Sequence, residues 1–360
     1  MGGPLKDIYT LQLLRNVGEA LRRQKNEVDV DVFVKTVVSD PWELLEIKER
    51  MKKIAVTLRA HLPDGFQQAI EILIPVSQQF SGFEYMFFPY YVELFGEHEW
   101  DAAISALERF TSGSSSEFAI RPFIIRDQKS AMAQMKKWSK SDDFHVRRLS
   151  SEGCRPRLPW AQTLPSLIEN PDPIFPILDE LISDEEEYVR RSVANNMNDI
   201  SKDHPGLIVN YAESWYGRNK EIDWVVKHGC RTLLKSGNAK ILGLFGFDTN
   251  PKVTLEKLEL NEKVIRKGGV LKFSFDISAD KGFLGKLRIE YVIGFQKKNG
   301  GISDKVFKLV EGNYKSVRRS FSKEHSFHEI TTRVYHLGRH LVKIVVNGEV
   351  LASEEFELAA

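Results

Sequence analysis

The chain has 360 residues, 42% hydrophobic and 28% charged, which suggests two domains with real buried cores. Its two cysteines, Cys154 and Cys230, form no C-x-x-C, which excludes a disulfide scaffold or a zinc ribbon and fits a reducing compartment. No run approaches the roughly 18 apolar residues of a membrane-spanning helix, so no membrane partner is expected. The N-terminus MGGPLKDIYTL has no signal pattern, and Lys6 stands where a myristoylation signal wants Ser or Thr. The chain reads as cytoplasmic. The net charge of +1 is unevenly spread: 11 basic against 15 acidic side chains in residues 1–100, 10 against 4 in 118–160, and 20 against 15 in 247–360. A polyanion could therefore meet a local basic face.

Up to about residue 246 the pattern is helical. Met51, Ile54, Ala55, Leu58 and Leu62 recur at helical spacing, and Pro and Gly clusters punctuate the stretch. The string FHVRR at residues 144–148 returns as YVRR at 188–191 and, degenerately, as DWVVK at 223–227. Val146 to Val189 is 43 residues and Val189 to Val225 is 36, periods that predict HEAT-like helix pairs stacked into a solenoid with a concave face.

After Phe247 the texture changes. Phe273, Phe275 and Ile277 alternate with polar residues, as do Leu287, Ile289, Tyr291 and Ile293. The run from His340 to Val346 ends at Asn347-Gly348, a strong two-residue hairpin signal. About seven short strands fit, the pattern of an immunoglobulin-like β-sandwich. The fold class expected is mainly α: a helical-repeat solenoid over residues 1–247, a linker at 248–251, and an all-β sandwich over 251–360.

Helical spacing lays Arg148, Glu152 and Arg155 on one face, Arg191, Asn195, Asn198 and Asp199 on the next, and Lys227 and Arg231 on the third. One reading is an ordinary solvated face. The other is a basic concave stripe that follows a phosphate backbone, with Glu152 and Asp199 inside it. In SSEGCRPRLPW, Pro156 and Pro159 break the helix, and Trp160 either packs in the core or offers its ring to a sugar or a cationic base. Glu117, after the serine run of TSGSSSEF, falls at or near a helix start, where a carboxylate can simply be a cap. Nucleophile-elbow, phosphate-loop and zinc-protease motifs are missing, and His204 and His228 lack metal-ligand spacing.

The strings SSSEFAIRPFI, HVRRLSSEGCRPRLPWA, YVRRSVANNMNDISKDHP, DWVVKHGCRTLLKSG and LFGF resemble the AlkC family of bacterial DNA alkylation-repair glycosylases, related to AlkD. WELLEIKERMKKIA and FPYYVELFG are similar too, and the tail resembles the immunoglobulin-like domain that some members carry. The resemblance implies a monomeric, monofunctional enzyme of the bacterial cytosol. It would need no metal or other cofactor, and it would remove 3-methyladenine and 3-methylcytosine from double-stranded DNA. It also implies that Glu117, Glu152 and Asp199 surround the lesion, with Trp160 beside it. Arg148, Arg155, Arg157, Arg191, Asn195, Lys202, Lys227 and Arg231 would then contact DNA. The alternative is a non-catalytic HEAT-type scaffold binding DNA or protein.

Overall fold

A computed structural model describes residues 4–330 and 333–360. Among them 16 α-helices lie between Leu11 and Leu244, and eight β-strands between Val253 and Ala359. None of these helices is long and apolar enough to cross a membrane. The chain forms two compact units, Met1–Asp203 and His204–Ala360.

In the first unit the helices pair and stack as the 43-residue period predicts. The helix Gln128–Trp138 packs on Phe144–Glu152, and Phe175–Leu181 packs on Glu187–Ile200. Equivalent helices then meet: the Phe144 helix lies against the Glu187 helix, and the Gln128 helix against the Phe175 helix. Val146, Leu149, Val189, Val193 and Met197 are buried at the expected spacing. Small side chains let the Phe144 and Glu187 helices approach closely. Ser151 Oγ and Ser192 Oγ are 2.6 Å apart, and Asn196 Nδ2 donates to the Ser151 carbonyl at 2.8 Å.

The repeat extends to side-chain chemistry. Arg147 donates to the carbonyls of Ser141 and Asp142, both at 3.0 Å. Arg190 donates to those of Asp184 and Glu185, at 2.6 and 2.8 Å. The first arginine of each Arg-Arg pair therefore ties its helix to the turn before it. Arg147 also binds both Asp184 oxygens, at 2.6 and 3.1 Å, and so links one repeat to the next. The second arginine of each pair, Arg148 or Arg191, is left for other work.

In the second unit the helices Pro205–Trp215 and Lys220–Gly229 pair, and the strands follow. They are β1 (Val253–Leu260), β2 (Val264–Arg266), β3 (Val270–Ala279), β4 (Gly285–Gln296), β5 (Ile302–Tyr314), β6 (Arg318–Ser326), β7 (Gly338–Val346) and β8 (Glu349–Ala359). One sheet has the order β1-β3-β6 and the other β2-β8-β7-β4-β5. The eighth strand, beyond the seven expected, is the short β2, which runs parallel to β8. Phe273, Phe275 and Ile277 point into the sandwich as their alternation predicts. β4 departs from alternation. Arg288 and Glu290 on its other face are also buried; they bond each other at 2.6 Å, and Arg288 bonds Glu311 at 3.0 Å. This interior strand, between β7 and β5, is covered on both faces, which alternation alone cannot reveal.

The stretch from Phe245 to Asp248 is fastened to the sandwich by named bonds. Lys286 Nζ donates to the Phe245 carbonyl at 2.5 Å, and Asn347 Nδ2 donates to the Asp248 carbonyl at 2.9 Å. Asn347 and Gly348 have φ of 48° and 88°, the doubly positive pair of a tight hairpin turn. The Asn347 side-chain oxygen also accepts from the Arg288 amide at 2.7 Å. Asn347→Ala would leave the buried Arg288 amide without its acceptor and place an ordinary residue at positive φ, so we expect a loss of about 2–4 kcal/mol, read by denaturant unfolding.

Candidate active site

Three carboxylates and three cations alternate in one chain of contacts within the first unit. Glu117 lies in the turn before the helix Arg121–Arg126. One of its oxygens accepts from Ser115 Oγ at 2.6 Å and pairs with Arg148. Arg148 lies 3.5 Å from Glu152, the last residue of the Phe144 helix. Arg155 then bonds Glu152 at 2.6 Å and Asp199 Oδ2 at 2.9 Å. Lys202 Nζ closes the chain on Asp199 Oδ1 at 2.9 Å.

Burial makes this arrangement energetically consequential. The Glu152, Arg155 and Asp199 side chains are 6%, 8% and 2% exposed, so water screens them little. Glu152 and Asp199 also stand in the last turns of their helices, where the backbone dipole repels negative charge. Arg155 and Lys202 offset that repulsion. Burial alone would loosen the protons of Arg148 and Arg155, yet the flanking carboxylates hold both pKa values above the usual arginine value. The carboxylate oxygens are unequally engaged. Both of Asp199 bond cations, whereas Arg148 and Arg155 both meet Oε1 of Glu152.

Trp160 is 62% exposed on the turn after Pro159, with φ of 63°. It does not pack in the core. Buried Arg121 braces this segment: it donates to the carbonyls of Gly153, Arg155 and Gln162 at 3.0, 2.9 and 2.5 Å. Burial lowers its pKa to about 10, which leaves it charged at neutral pH. A cavity of about 300 Å³ opens beside Glu117 and Arg148, with Ser115, His145 and Tyr188 on its wall.

The other expected DNA contacts are distributed unevenly. Arg148 and Arg155 are largely buried and committed to carboxylates, so their geometry is that of groups orienting the acids. Arg157 forms a two-pronged pair with Asp203, 2.8 Å on each arm. Arg191 is 55% exposed and pairs with Glu187. Asn195 is half-buried on the Glu187 helix. In the second unit, Lys227 pairs with Glu311, and Arg231 donates to the His228 carbonyl at 2.8 Å. Cys154 and Cys230 are buried with thiols pushed up to about 12, so neither is a nucleophile near neutral pH. Ser115, Arg121 and Tyr188 escaped the sequence reading. An arginine inside the apolar string FAIRPFII, and an aromatic heading each repeat helix, were the available signals.

A family model described as DNA alkylation repair enzyme matches residues 112–233, which include all three carboxylates. A second, described as Uncharacterised protein YhaZ, C-terminal Ig-like domain, matches residues 254–360. The chain is thus a helical-repeat DNA alkylation-repair protein with an immunoglobulin-like C-terminal domain. It is 42% identical to YhaZ of Bacillus subtilis (strain 168) over 355 residues, 98% of this chain and 99% of that one. It is also similar to the solved structure of the Pseudomonas fluorescens alkylpurine DNA glycosylase AlkC bound to DNA containing an abasic site analog. That match has a TM-score of 0.94 and 34% identity, over 99% of this chain and 100% of that one. The chain belongs to the AlkC family of DNA alkylation-repair glycosylases.

One further acid lies near the site. Glu93, beside a cavity of about 90 Å³ beneath the Trp160 turn, has its pKa raised by burial to about 7 against an ordinary 4.5, with Lys48 opposing the shift. The folded protein therefore keeps a proton that the unfolded chain releases, and stability falls as pH rises from about 4.5 to about 7. Glu93→Gln should raise stability at pH 8 by about 2 kcal/mol and flatten that slope, as read by denaturant unfolding across the range.

Proposed function

We propose that residues 1–247 act as a monofunctional glycosylase domain that hydrolyses the N-glycosidic bond of 3-methyladenine and 3-methylcytosine in double-stranded DNA. The observation that carries the reading is the chain of three carboxylates, fixed by cations, in the segment that bears the family match. A base alkylated at N3 is already cationic and needs no protonation to leave. What the bond cleavage needs is stabilisation of the oxocarbenium-like sugar and a water aimed at it.

Asp199, held through both oxygens by cations, serves as a fixed negative charge facing the developing sugar cation. Glu152 has its cationic partners on Oε1, and its Oε2 takes the water proton. Glu117 forms the third wall and attracts the cationic base, a preference that neutral bases do not share. Trp160 packs on sugar or base. Arg148 and Arg155 hold the carboxylates in place, while Arg157, Arg191, Asn195, Lys202, Lys227 and Arg231 meet the DNA, mainly its phosphates. Such contacts give position without sequence readout, which suits an enzyme that seeks damage.

The test is release of the base. Incubation with methylated duplex DNA should liberate 3-methyladenine or 3-methylcytosine, identified chromatographically. Glu152→Gln and Asp199→Asn should each slow excision about 10²–10³-fold, while affinity for undamaged duplex holds or rises. Excision near the original rate in both folded variants would remove these acids from the mechanism.

The two second arginines should separate cleanly. Arg191→Ala should weaken duplex binding uniformly across sequences and lower the salt slope by about one. Arg148→Ala should leave the salt slope unchanged and slow excision, because it loosens Glu117 and Glu152.

A further inference from the structure

The left-handed backbone of Trp160 is one that a bulky side chain seldom adopts, and its exposed indole gains no packing from it. Something other than side-chain burial must hold this turn. Arg121 grips it from within, through the Gln162 carbonyl at 2.5 Å. From outside, Lys48 of the helix Ile47–Ala60 donates to the carbonyl of Trp160 itself. The same Nζ lies 4.9 Å over the ring of Phe118, the residue after Glu117. Beneath the turn lies the cavity of about 90 Å³, walled in part by Lys48, Glu93 and Gln162. The position of the turn therefore depends on directional bonds.

We infer that Lys48 is a positioning residue for excision: it fixes the Trp160 peptide and, through Phe118, ties it to the segment that carries Glu117. This rests on the glycosylase reading and assigns a part in it to the N-terminal helices. Lys48 is 112 residues from Trp160 in sequence and lies outside the matched stretch 112–233. Lysine suits the task, because one compact ammonium can donate to a carbonyl while resting on an aromatic face.

Lys48 is exposed, so its variants should fold. Lys48→Met removes the donor and keeps the stem; Lys48→Arg keeps a donor. The emission of Trp160 without DNA, isolated as the difference between each variant and its Trp160→Phe counterpart, should shift in Lys48→Met with increased acrylamide quenching and return toward the original in Lys48→Arg. Single-turnover excision should fall about 10-fold in Lys48→Met with duplex affinity kept, and Lys48→Arg should recover most of the rate. Combined with Trp160→Phe, Lys48→Met should cost clearly less than it does alone. Unchanged Trp160 emission, or losses that multiply in the double variant, would overturn the assignment. Were the original protein to release no base, the glycosylase reading would fail, and the emission difference would still decide whether Lys48 holds Trp160.

Discussion

Arg155 is the interaction on which the site depends. A planar guanidinium can hold two carboxylates at once in fixed directions, and here it joins Glu152 at the end of one repeat helix to Asp199 at the end of the next. Without a cation between them, two buried acids so close together would repel each other. The contact also demands that the helices come close, which Ser151, Ser192 and Asn196 allow. Interhelix spacing and site electrostatics are thus parts of one requirement.

The repeat supplies this arrangement economically. Each Arg-Arg pair turns one arginine onto the preceding turn and the other about 100° further round the helix. Arg147 and Arg190 perform the same bonding to carbonyls five and six residues back. Arg148 and Arg191 occupy equivalent positions yet differ: one is enclosed by Glu117 and Glu152, the other is exposed beside Glu187. The duplicated scaffold stays constant, and the second arginine has diverged in its surroundings.

How much of this was legible in sequence follows from the range of each contact. Glu152 and Asp199 fall on the faces of Arg148 and Arg191 by helical spacing, so periodicity alone found them. Glu117 comes from a turn, where no period applies, and only the family resemblance reached it. The carboxylate partners of Arg148 and Arg155 were not legible, because a basic stripe looks the same whether it meets phosphates or buried acids. The Asn347-Gly348 turn was plain, because two consecutive positive φ angles demand such residues. The double burial of β4 was hidden, since Arg288 and Glu290 read as solvent-facing until their mutual pair is seen. Lys48 was out of reach for the same reason as any contact between distant segments.

The alternation of charges bears on how a site of acids can work on a polyanion. Three exposed carboxylates would repel phosphates and be screened by salt. Here Glu117, Glu152 and Asp199 are matched by Arg148, Arg155 and Lys202, so the chain of contacts carries no net charge and its far field is small. At contact range the compensation is incomplete, because each carboxylate has a direction in which its own oxygen is nearest. A group placed there meets negative potential in a poorly screened setting, whereas a phosphate farther away meets almost none. On the glycosylase reading proposed above, a neutral chain of fixed, alternating charges would let DNA approach and reserve its attraction for a cation that forms within a few ångströms.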